Sequence, residues 1–315
     1  MLFRSPAKVS TSIGTSPSFN LFGALATSSR SYTLAAQRAM RYLTRPMSVD
    51  VSVIIPTFRR PQLLRETIAS VIGQTGVEVE LIVVDDSPEG SAEKIVQSVG
   101  DRRVSYRKNP APTGGKPGVV RNLGWPSATG KLCHFLDDDD LVPEGHYRRV
   151  IDTFGKNPEV GVVFGKVEPF GDSVSHSLEH EQRYFSDAAR RARSCTRFGP
   201  RLAFAARMFF EPTMIVCSTC LVRRECVVAL EGFNPEILLV EDVDFYARAM
   251  RRFGAHFLDE VTLHYRIGPS LMHSRKGDGP IVESYRRMHR RYRETWGGAD
   301  FLALKIFARS LLRIV

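Results

Sequence analysis

Four consecutive carboxylates, Asp137, Asp138, Asp139 and Asp140, close the short apolar run Leu132-Cys-His-Phe-Leu136, and Pro143 follows them. Adjacent carboxylates repel one another, and these come directly after a segment that reads as a buried strand. A divalent cation relieves such crowding, since Mg²⁺ and Mn²⁺ take oxygen ligands and commonly share them with substrate phosphates. Four acids in isolation also read as an acidic, solvated turn. A second acidic group, Asp85-Asp86, ends the run Val79-Glu-Leu-Ile-Val-Val84, and a third, Glu241-Asp-Val-Asp244, opens a helical pattern. Acids in a first helical turn also serve as partners of the helix dipole, which accounts for one or two of those three.

The elements that must position these acids alternate. Val51-Ser-Val-Ile-Ile55 reads as a fully buried strand stopped by Pro56-Thr57. Pro61 suits the first turn of a helix whose apolar face is Leu63, Leu64, Ile68, Val71 and Ile72. The strand over 79–84, a helix over 92–99, a short strand over 104–106 and a helix over 119–125 lead to the run before Asp137. Strands are also expected over 160–167 and 214–222, with a polar, irregular stretch over 168–200. Such alternation predicts an α/β fold with a mostly parallel sheet covered by helices on both faces. Ligands bind at the carboxyl ends of strands in such sheets, where Thr57, Asp85, Asp86 and residues 137–140 all fall.

At 315 residues and 43% hydrophobic content the chain can bury one large core or two joined ones. Its net charge of +10 resembles a nucleic-acid signal until it is divided along the chain. Residues 1–46 hold six basic residues and no acid, and residues 284–315 hold eight against two acids, which leaves the middle at −2. A basic groove for nucleic acid is not supported. There is no run of 18 uncharged apolar residues, so no transmembrane helix is expected. Five cysteines, an odd number, suggest reduced thiols and an intracellular, cytoplasmic setting. Cys217-Ser-Thr-Cys220 has metal or redox spacing but no second ligand pair, and is expected to be packing. Residues 1–46, rich in Ser, Thr, Ala and Arg, read as a disordered basic extension, a targeting segment, or the product of a start placed too early, with Met47 the alternative.

Taken in order, Val53-Ile-Ile-Pro-Thr-Phe58, Leu81-Ile-Val-Val-Asp-Asp-Ser87, Arg121-Asn-Leu-Gly124, Ala128-Thr-Gly-Lys131, Phe135-Leu-Asp-Asp-Asp-Asp140, Gly232-Phe-Asn234 and Glu241-Asp-Val-Asp244 resemble the motifs of the family-2 glycosyltransferases of GT-A fold. The resemblance covers residues 51–267. It implies a Rossmann-like nucleotide-sugar-binding half (47–150) joined to an acceptor half (151–283); beyond it, the residue spacing reads as basic amphipathic helices over 284–315. It further implies that Pro56, Thr57, Asp85 and Asp86 hold the base and ribose, with Arg121 near the phosphates. Asp137-Asp138-Asp139 matches the family's Asp-x-Asp motif: Asp139 is the metal ligand, Asp137 lies near metal and ribose, and Asp138 lies on the donor side. Asp140 is expected to face solvent or begin the next helix. Asp242 is the implied catalytic base, with Glu241 its substitute. The implied cofactor is Mn²⁺ or Mg²⁺, and the implied partners are a nucleotide-sugar and a hydroxyl acceptor on a cell-surface polysaccharide or lipid-linked glycan.

The chemistry suits these residue types. A departing diphosphate gathers negative charge, and an attacking hydroxyl needs a carboxylate to take its proton. Attack opposite the diphosphate inverts the anomeric centre. The Gln-x-x-Arg-Trp motif of processive synthases is absent, which favours transfer of single sugars. His264-Tyr-Arg266 and His273 resemble the family's loosely patterned closing loop. A dinucleotide-dependent oxidoreductase is disfavoured because Pro-Thr-Phe-Arg-Arg stands where Gly-x-Gly-x-x-Gly belongs. A nucleotidyltransferase, for which Gly114-Gly-Lys116 is a faint signal, and a non-catalytic nucleotide-sugar- or carbohydrate-binding protein are the alternatives. Lys305, Arg309 and Arg313 recur every four residues beside Leu and Ile. A helix there would either pack on the domain with its cations solvated or present a basic stripe suited to peripheral membrane contact.

Overall fold

The first β-branched run forms strand β1 (Val51–Thr57), buried at every residue because neighbouring strands and helices on both faces exclude water. The computed structural model describes residues 49–171, 178–211, 213–268 and 279–311, so the expectations for residues 1–46 and for His273 lie outside the described residues. Strand β1 pairs in parallel with β2 (Val79–Asp85) on one side and β4 (Leu132–Phe135) on the other. Strand β2 in turn pairs in parallel with β3 (Val104–Lys108). Beyond β4 the sheet continues through β6 (Leu221–Arg223), β5 (Val162–Phe170) and β7 (Ala255–Arg266), giving the order β3-β2-β1-β4-β6-β5-β7. Only β6 runs against the rest, so the seven-stranded sheet is mostly parallel, as the alternating pattern predicts. It is continuous across residue 150.

Helices α1 (Pro61–Ile72), α2 (Glu93–Val99) and α4 (His146–Lys156) share one face of this sheet, where Leu64, Ile68, Val96, Tyr147, Val150 and Phe154 join Val53, Ile55, Leu81 and Val83 in one core. Helix α3 (Pro117–Gly124) covers the other face. A Cβ at Gly124 would lie 2.6 Å from Ile54 Cγ2 and 3.0 Å from Val84 Cγ2, so glycine sets how closely α3 lies on β1 and β2. Chain order reverses between β1 and β4, which makes the crevice at their carboxyl ends the natural ligand position. The register aims the acids there. Thr57 is level with Asp85, and Ile54 is level with Phe135, so the residues after β4 emerge beside Thr57.

Two expectations are corrected. Residues 168–200, read as irregular, finish β5 and then form α5 (Leu178–Cys195), whose buried Phe185, Ala188, Ala189, Ala192 and Cys195 make a helical stripe. Alanine carries little hydrophobic signal but is the best helix former, which is why periodicity alone missed it. Residues 214–222, read as one strand, hold a 3₁₀ turn at Cys217–Thr219 before the three residues of β6. Thr213 and Thr219 hydroxyls donate to the Ile215 and Val216 carbonyls at 3.0 and 2.8 Å, offering the backbone a local alternative to a ladder. Helices α6 (Leu202–Phe210), α7 (Arg224–Leu230), α8 (Glu241–Phe253), α9 (Gly279–Trp296) and α10 (Gly298–Leu311) complete the described chain. The five cysteines are free and buried. Burial pushes the Cys133 thiol up to about 12 and Cys195 to about 11, so these are packing residues rather than nucleophiles.

The Ala128-Thr-Gly-Lys131 motif sits at the opposite end of the sheet from the acids. Glu80 Oε1 accepts from the Thr129 amide and hydroxyl at 2.6 and 2.9 Å, and the Gly130 amide donates to Ser52 Oγ at 2.7 Å. A Cβ at Gly130 would lie 2.6 Å from the Ser52 nitrogen and 2.9 Å from the Val51 carbonyl carbon, both backbone atoms that cannot move aside. Gly130→Ala is therefore expected to lower stability by about 1–3 kcal/mol through forced displacement of β1. Urea denaturation of both proteins measures it, and an unchanged midpoint would contradict this clamp.

Candidate active site

Residues 56–60, 85–87, 137–140 and 241–242 converge at the carboxyl rim of β1, β2 and β4. The Thr57 hydroxyl donates to Asp138 Oδ2 at 2.6 Å, fixing β1 to the acid loop. Arg60, in the turn between β1 and α1, donates to Asp139 Oδ2 at 2.7 Å and Asp138 Oδ1 at 3.3 Å. Arg121 reaches from α3 to Asp137 Oδ1 at 2.6 Å and Glu241 Oε1 at 2.8 Å, although it is only 2% exposed. That guanidinium joins the acid loop to the first residue of α8, 120 positions away from it in sequence.

Asp140 departs from expectation: it is 1% exposed rather than solvated. Its Oδ1 accepts from the Arg266 amide at 3.1 Å, and its carbonyl accepts from the Thr67 hydroxyl at 2.9 Å. Arg266 also donates to the Asp139 carbonyl at 2.9 Å and to Glu66 at 2.6 Å, so this last residue of β7 pins the acid loop from behind. Asp244 turns away from the rim and binds Arg248 at 2.8 Å, whose other nitrogens hold the Leu230 and Gly232 carbonyls. His264 Nδ1 lies 2.9 Å from Glu168, outside this cluster.

The second acidic group has internal work. Asp85 accepts from the Ser87 and Ala92 amides at 2.8 Å each and from Tyr106 at 3.2 Å, so it closes the turn that starts α2. Asp86 accepts from Asn109 at 2.6 Å and from the Thr113 amide and hydroxyl at 2.9 and 2.8 Å. It thereby folds the loop before α3 over the end of β2. Pro56 is buried beside Val84 and presents no polar group of its own beyond the backbone.

Several residues position the site without having a role that their place in the sequence implies. Ser218 Oγ accepts from the Asp137 amide at 3.0 Å, and the Ser218 carbonyl lies 2.8 Å from His134 Nε2, so the Cys217-Ser-Thr-Cys220 segment sets where the acid loop begins. Asn122 works like a peptide unit: its Nδ2 donates to the Phe233 carbonyl at 2.7 Å and its Oδ1 accepts from the Phe233 amide at 2.9 Å. That bridge explains why an Asn follows Arg121 and why Gly232 precedes Phe233. At φ +74°, a Cβ on Gly232 would lie 2.4 Å from Asn122 Oδ1. Phe233 then lies 5.3 Å beneath the Arg121 guanidinium. Arg60 was legible only as the second basic residue of the turn after Thr57.

The rim holds more negative than positive charge: Asp137, Asp138, Asp139, Asp140, Glu241 and Asp242 face Arg60, Arg121 and Arg266. Burial, then Asp139, pushes the Asp138 carboxyl up to about 7, and burial, then Asp242, pushes Glu241 up to about 7. Asp139, Asp140 and Asp242 are raised as well, in each case chiefly by burial. Asp242 is half-buried, and among the described residues its carboxylate is hydrogen-bonded only by the Val243 amide, at 2.8 Å. Among the described residues, no three His, Cys, Asp or Glu side chains converge as a complete metal cage. The donor set still fits a hard cation, because it is all oxygen and under-compensated. One or two carboxylates would contact the ion, leaving the rest of its shell to a diphosphate and water.

These raised values make a pH prediction. A carboxyl raised on folding binds protons more tightly in the native state, so its stabilisation is complete below the unfolded pKa and is lost as pH rises through the folded one. Buried His134, lowered to about 4 by burial, and His146, lowered by burial and His134, contribute the opposite slope only below about 6.5. Between pH 6.5 and 8 the raised acids set the slope among the described residues, so the melting temperature of cation-free protein is expected to fall, and Asp138→Asn to shrink the fall. Thermal melts in chelator across that range measure it; a rising melting temperature would show that the rim is not under-compensated.

The family described as glycosyl transferase family 2 matches residues 52–227, more than half of the chain. Over 97 residues the chain is 37% identical to the GalNAc(5)-diNAcBac-PP-undecaprenol β-1,3-glucosyltransferase of Campylobacter jejuni, covering 30% of this chain and 31% of that one. The matched stretch is thus about a third of that relative's length. Among solved structures, Staphylococcus aureus TarS 1–349 in complex with UDP-GlcNAc superposes with a TM-score of 0.59 at 18% identity, covering 78% of this chain and 66% of that one. The mannosyltransferase PcManGT of Pyrobaculum calidifontis, in complex with GDP-Man and Mn²⁺, superposes with a TM-score of 0.52 at 17% identity, covering 90% and 81%. At such identities the structural likeness is one of fold, and the fold is GT-A. By its family match and its sheet, the chain belongs to glycosyl transferase family 2.

Proposed function

We propose that the chain transfers single sugars from a nucleotide-sugar to a hydroxyl acceptor, with inversion at the anomeric carbon and with a divalent cation as cofactor. The observation that carries this is Arg121, which draws the Asp-x-Asp residue Asp137 and the Glu-Asp residue Glu241 to one rim at 2.6 and 2.8 Å. Donor-side and acceptor-side acids thereby border a single crevice. The nucleotide-sugar and metal complexes of the two structural neighbours support the donor class and the cation. The undecaprenol-linked acceptor named for the Campylobacter relative supports a lipid-linked glycan as acceptor.

In this reading Pro56 and Thr57 border the base and ribose, and Asp85 and Asp86 shape that pocket by holding the loops around it. Asp137 and Asp138 lie on the donor's ribose and phosphate side. Asp139, with Asp137, would hold the cation, taking up the place that Arg60 occupies at 2.7 Å. Once bound, such an ion supplies positive charge to the leaving diphosphate. Asp242 takes the proton as the acceptor oxygen bonds to the anomeric carbon and the sugar–phosphate bond breaks, its electron pair leaving with the diphosphate. Glu241 is engaged by Arg121, whereas Asp242 keeps carboxylate oxygen free for an acceptor hydroxyl, which favours Asp242 as base. Its raised proton affinity suits that task.

Two substitutions test the roles. Asp139→Ala is expected to fold and to lose nucleotide binding that depends on Mn²⁺, read by calorimetric titration of UDP and GDP with and without the ion. Equal affinity in both proteins would remove the metal assignment. Asp242→Asn is expected to keep donor binding and to lower transfer by roughly 10²–10⁴. Nucleotide-sugar hydrolysis with Mn²⁺, assayed over a panel of UDP-, GDP- and dTDP-sugars, reads both; hydrolysis of none of them by the unaltered chain would favour a binding protein instead.

A further inference from the structure

Helix α10 buries Leu304, Ala308 and Leu311 against the domain, yet its outer face is not polar. Leu302 is 58% exposed and Ile306 55%, one helical turn apart, with exposed Lys305 and Arg309 between and beyond them. Half-buried Phe307 extends the apolar area sideways, its ring 5.7 Å from that of exposed Phe198. Phe210, at the end of α6, meets Phe301, at the start of α10, so the two helices pack on one another. Leu202, 46% exposed at the start of α6, follows Phe198 by four residues. Arg197 and Arg201 flank these residues and are also exposed. Neither 196–202 nor 301–311 contains an acid, and among the described residues no carboxylate pairs with Arg197, Arg201, Lys305 or Arg309.

We infer that this surface, aliphatic side chains interleaved with unpaired cations on α10 and the start of α6, seats the protein on an anionic lipid bilayer. Leu and Ile alternating with Lys and Arg on one helix face is the arrangement of an interfacial helix, whose apolar side chains enter the acyl boundary while the cations meet phosphate. Charge argues against the other occupants. The basic segment 1–46 and a second copy of this surface would each bring like charge to it. A nucleic acid would meet the cations but leave Leu302 and Ile306 without an apolar partner. The surface is also tied to the chemistry. Arg251, near the end of α8, donates to Tyr292 at 3.1 Å and to Asp300, at the start of α10, at 2.9 Å. One helix thus carries Asp242 at one end and the bilayer-facing element at the other, roughly 14 Å along its axis. The inference extends the lipid-linked acceptor reading: such an acceptor is presented at a bilayer surface.

The test is sedimentation of the full chain with vesicles of phosphatidylcholine alone and of equal parts phosphatidylcholine and phosphatidylglycerol. Binding is expected only to the anionic vesicles and to weaken with salt. Lys305→Gln with Arg309→Gln should reduce it about 25-fold, fivefold for each cation removed. Leu302→Gln with Ile306→Gln should reduce it by about tenfold or more. Binding equal on neutral vesicles, absent from anionic ones, or surviving either double substitution would overturn the inference. Nucleotide-sugar hydrolysis, which needs no lipid, should be the same in all three proteins. If hydrolysis stands while vesicle binding fails, only this surface is lost; if binding stands while hydrolysis is absent, only the transferase reading is.

Discussion

Crowding of like charge at the carboxyl rim of the sheet is the constraint that the surrounding structure answers. Six carboxylates meet three guanidiniums there, and Arg121 is the one on which the arrangement depends. Buried, it cannot lose Asp137 and Glu241 without being left as an uncompensated charge, and breaking such a pair costs about 3–5 kcal/mol. The neighbours of Arg121 serve its position. Asn122 fixes the Phe233 backbone, Phe233 lies beneath the guanidinium, and Gly118 leaves room for Glu241, whose Cγ would lie 2.8 Å from a Cβ there. The motifs that look independent in sequence are parts of one contact set.

Backbone strain gathers at the same place. Among the described residues, Arg59, Glu231 and Val240 are the non-glycine residues with positive φ, at 56°, 57° and 57°. Each adjoins a rim element: Arg59 follows Thr57 by two, Glu231 precedes Gly232 and Phe233, and Val240 precedes Glu241. A left-handed conformation costs a β-branched residue such as Val240 on the order of 1–2 kcal/mol. It persists because the next turns are held, Asp244 by its amide on the Val240 carbonyl and by Arg248. The strain aims the first turn of α8, and with it Glu241 and Asp242, at the end of β4.

The C-terminal helices are joined to this machinery rather than appended to it. Arg251, Tyr292 and Asp300 link α8, α9 and α10 through one hydrogen-bonded set, and Arg207 reaches the Leu311 carbonyl at 3.2 Å. The amphipathic pattern foresaw the helix, and the buried Leu304, Ala308 and Leu311 show that it packs on the domain. Packing and an outward apolar face turn out to be compatible, because a helix has two sides and the domain uses one.

The alternation of apolar runs with amphipathic segments sufficed to predict a mostly parallel sheet, and the placement of Thr57, Asp85, Asp86 and residues 137–140 at strand ends followed from it. Those properties are local, since period and strand termination are written within a few residues. Side-chain partners were not legible, because most join residues far apart in sequence, 81 positions for Thr57 and Asp138 and 120 for Arg121 and Glu241. Asp140 shows the difference: one of four identical neighbours in sequence, it is buried where Arg266 and Thr67 arrive from distant elements. Ser218 carries no distinctive sequence signal, Asn122 was legible only as a member of the Arg121-Asn-Leu-Gly124 motif, and α5 was hidden by its alanines. The order of the motifs determined the family. The tertiary structure decided which acid is paired, which is left open and where the rim lacks positive charge, because electrostatic balance depends on distances that only packing creates.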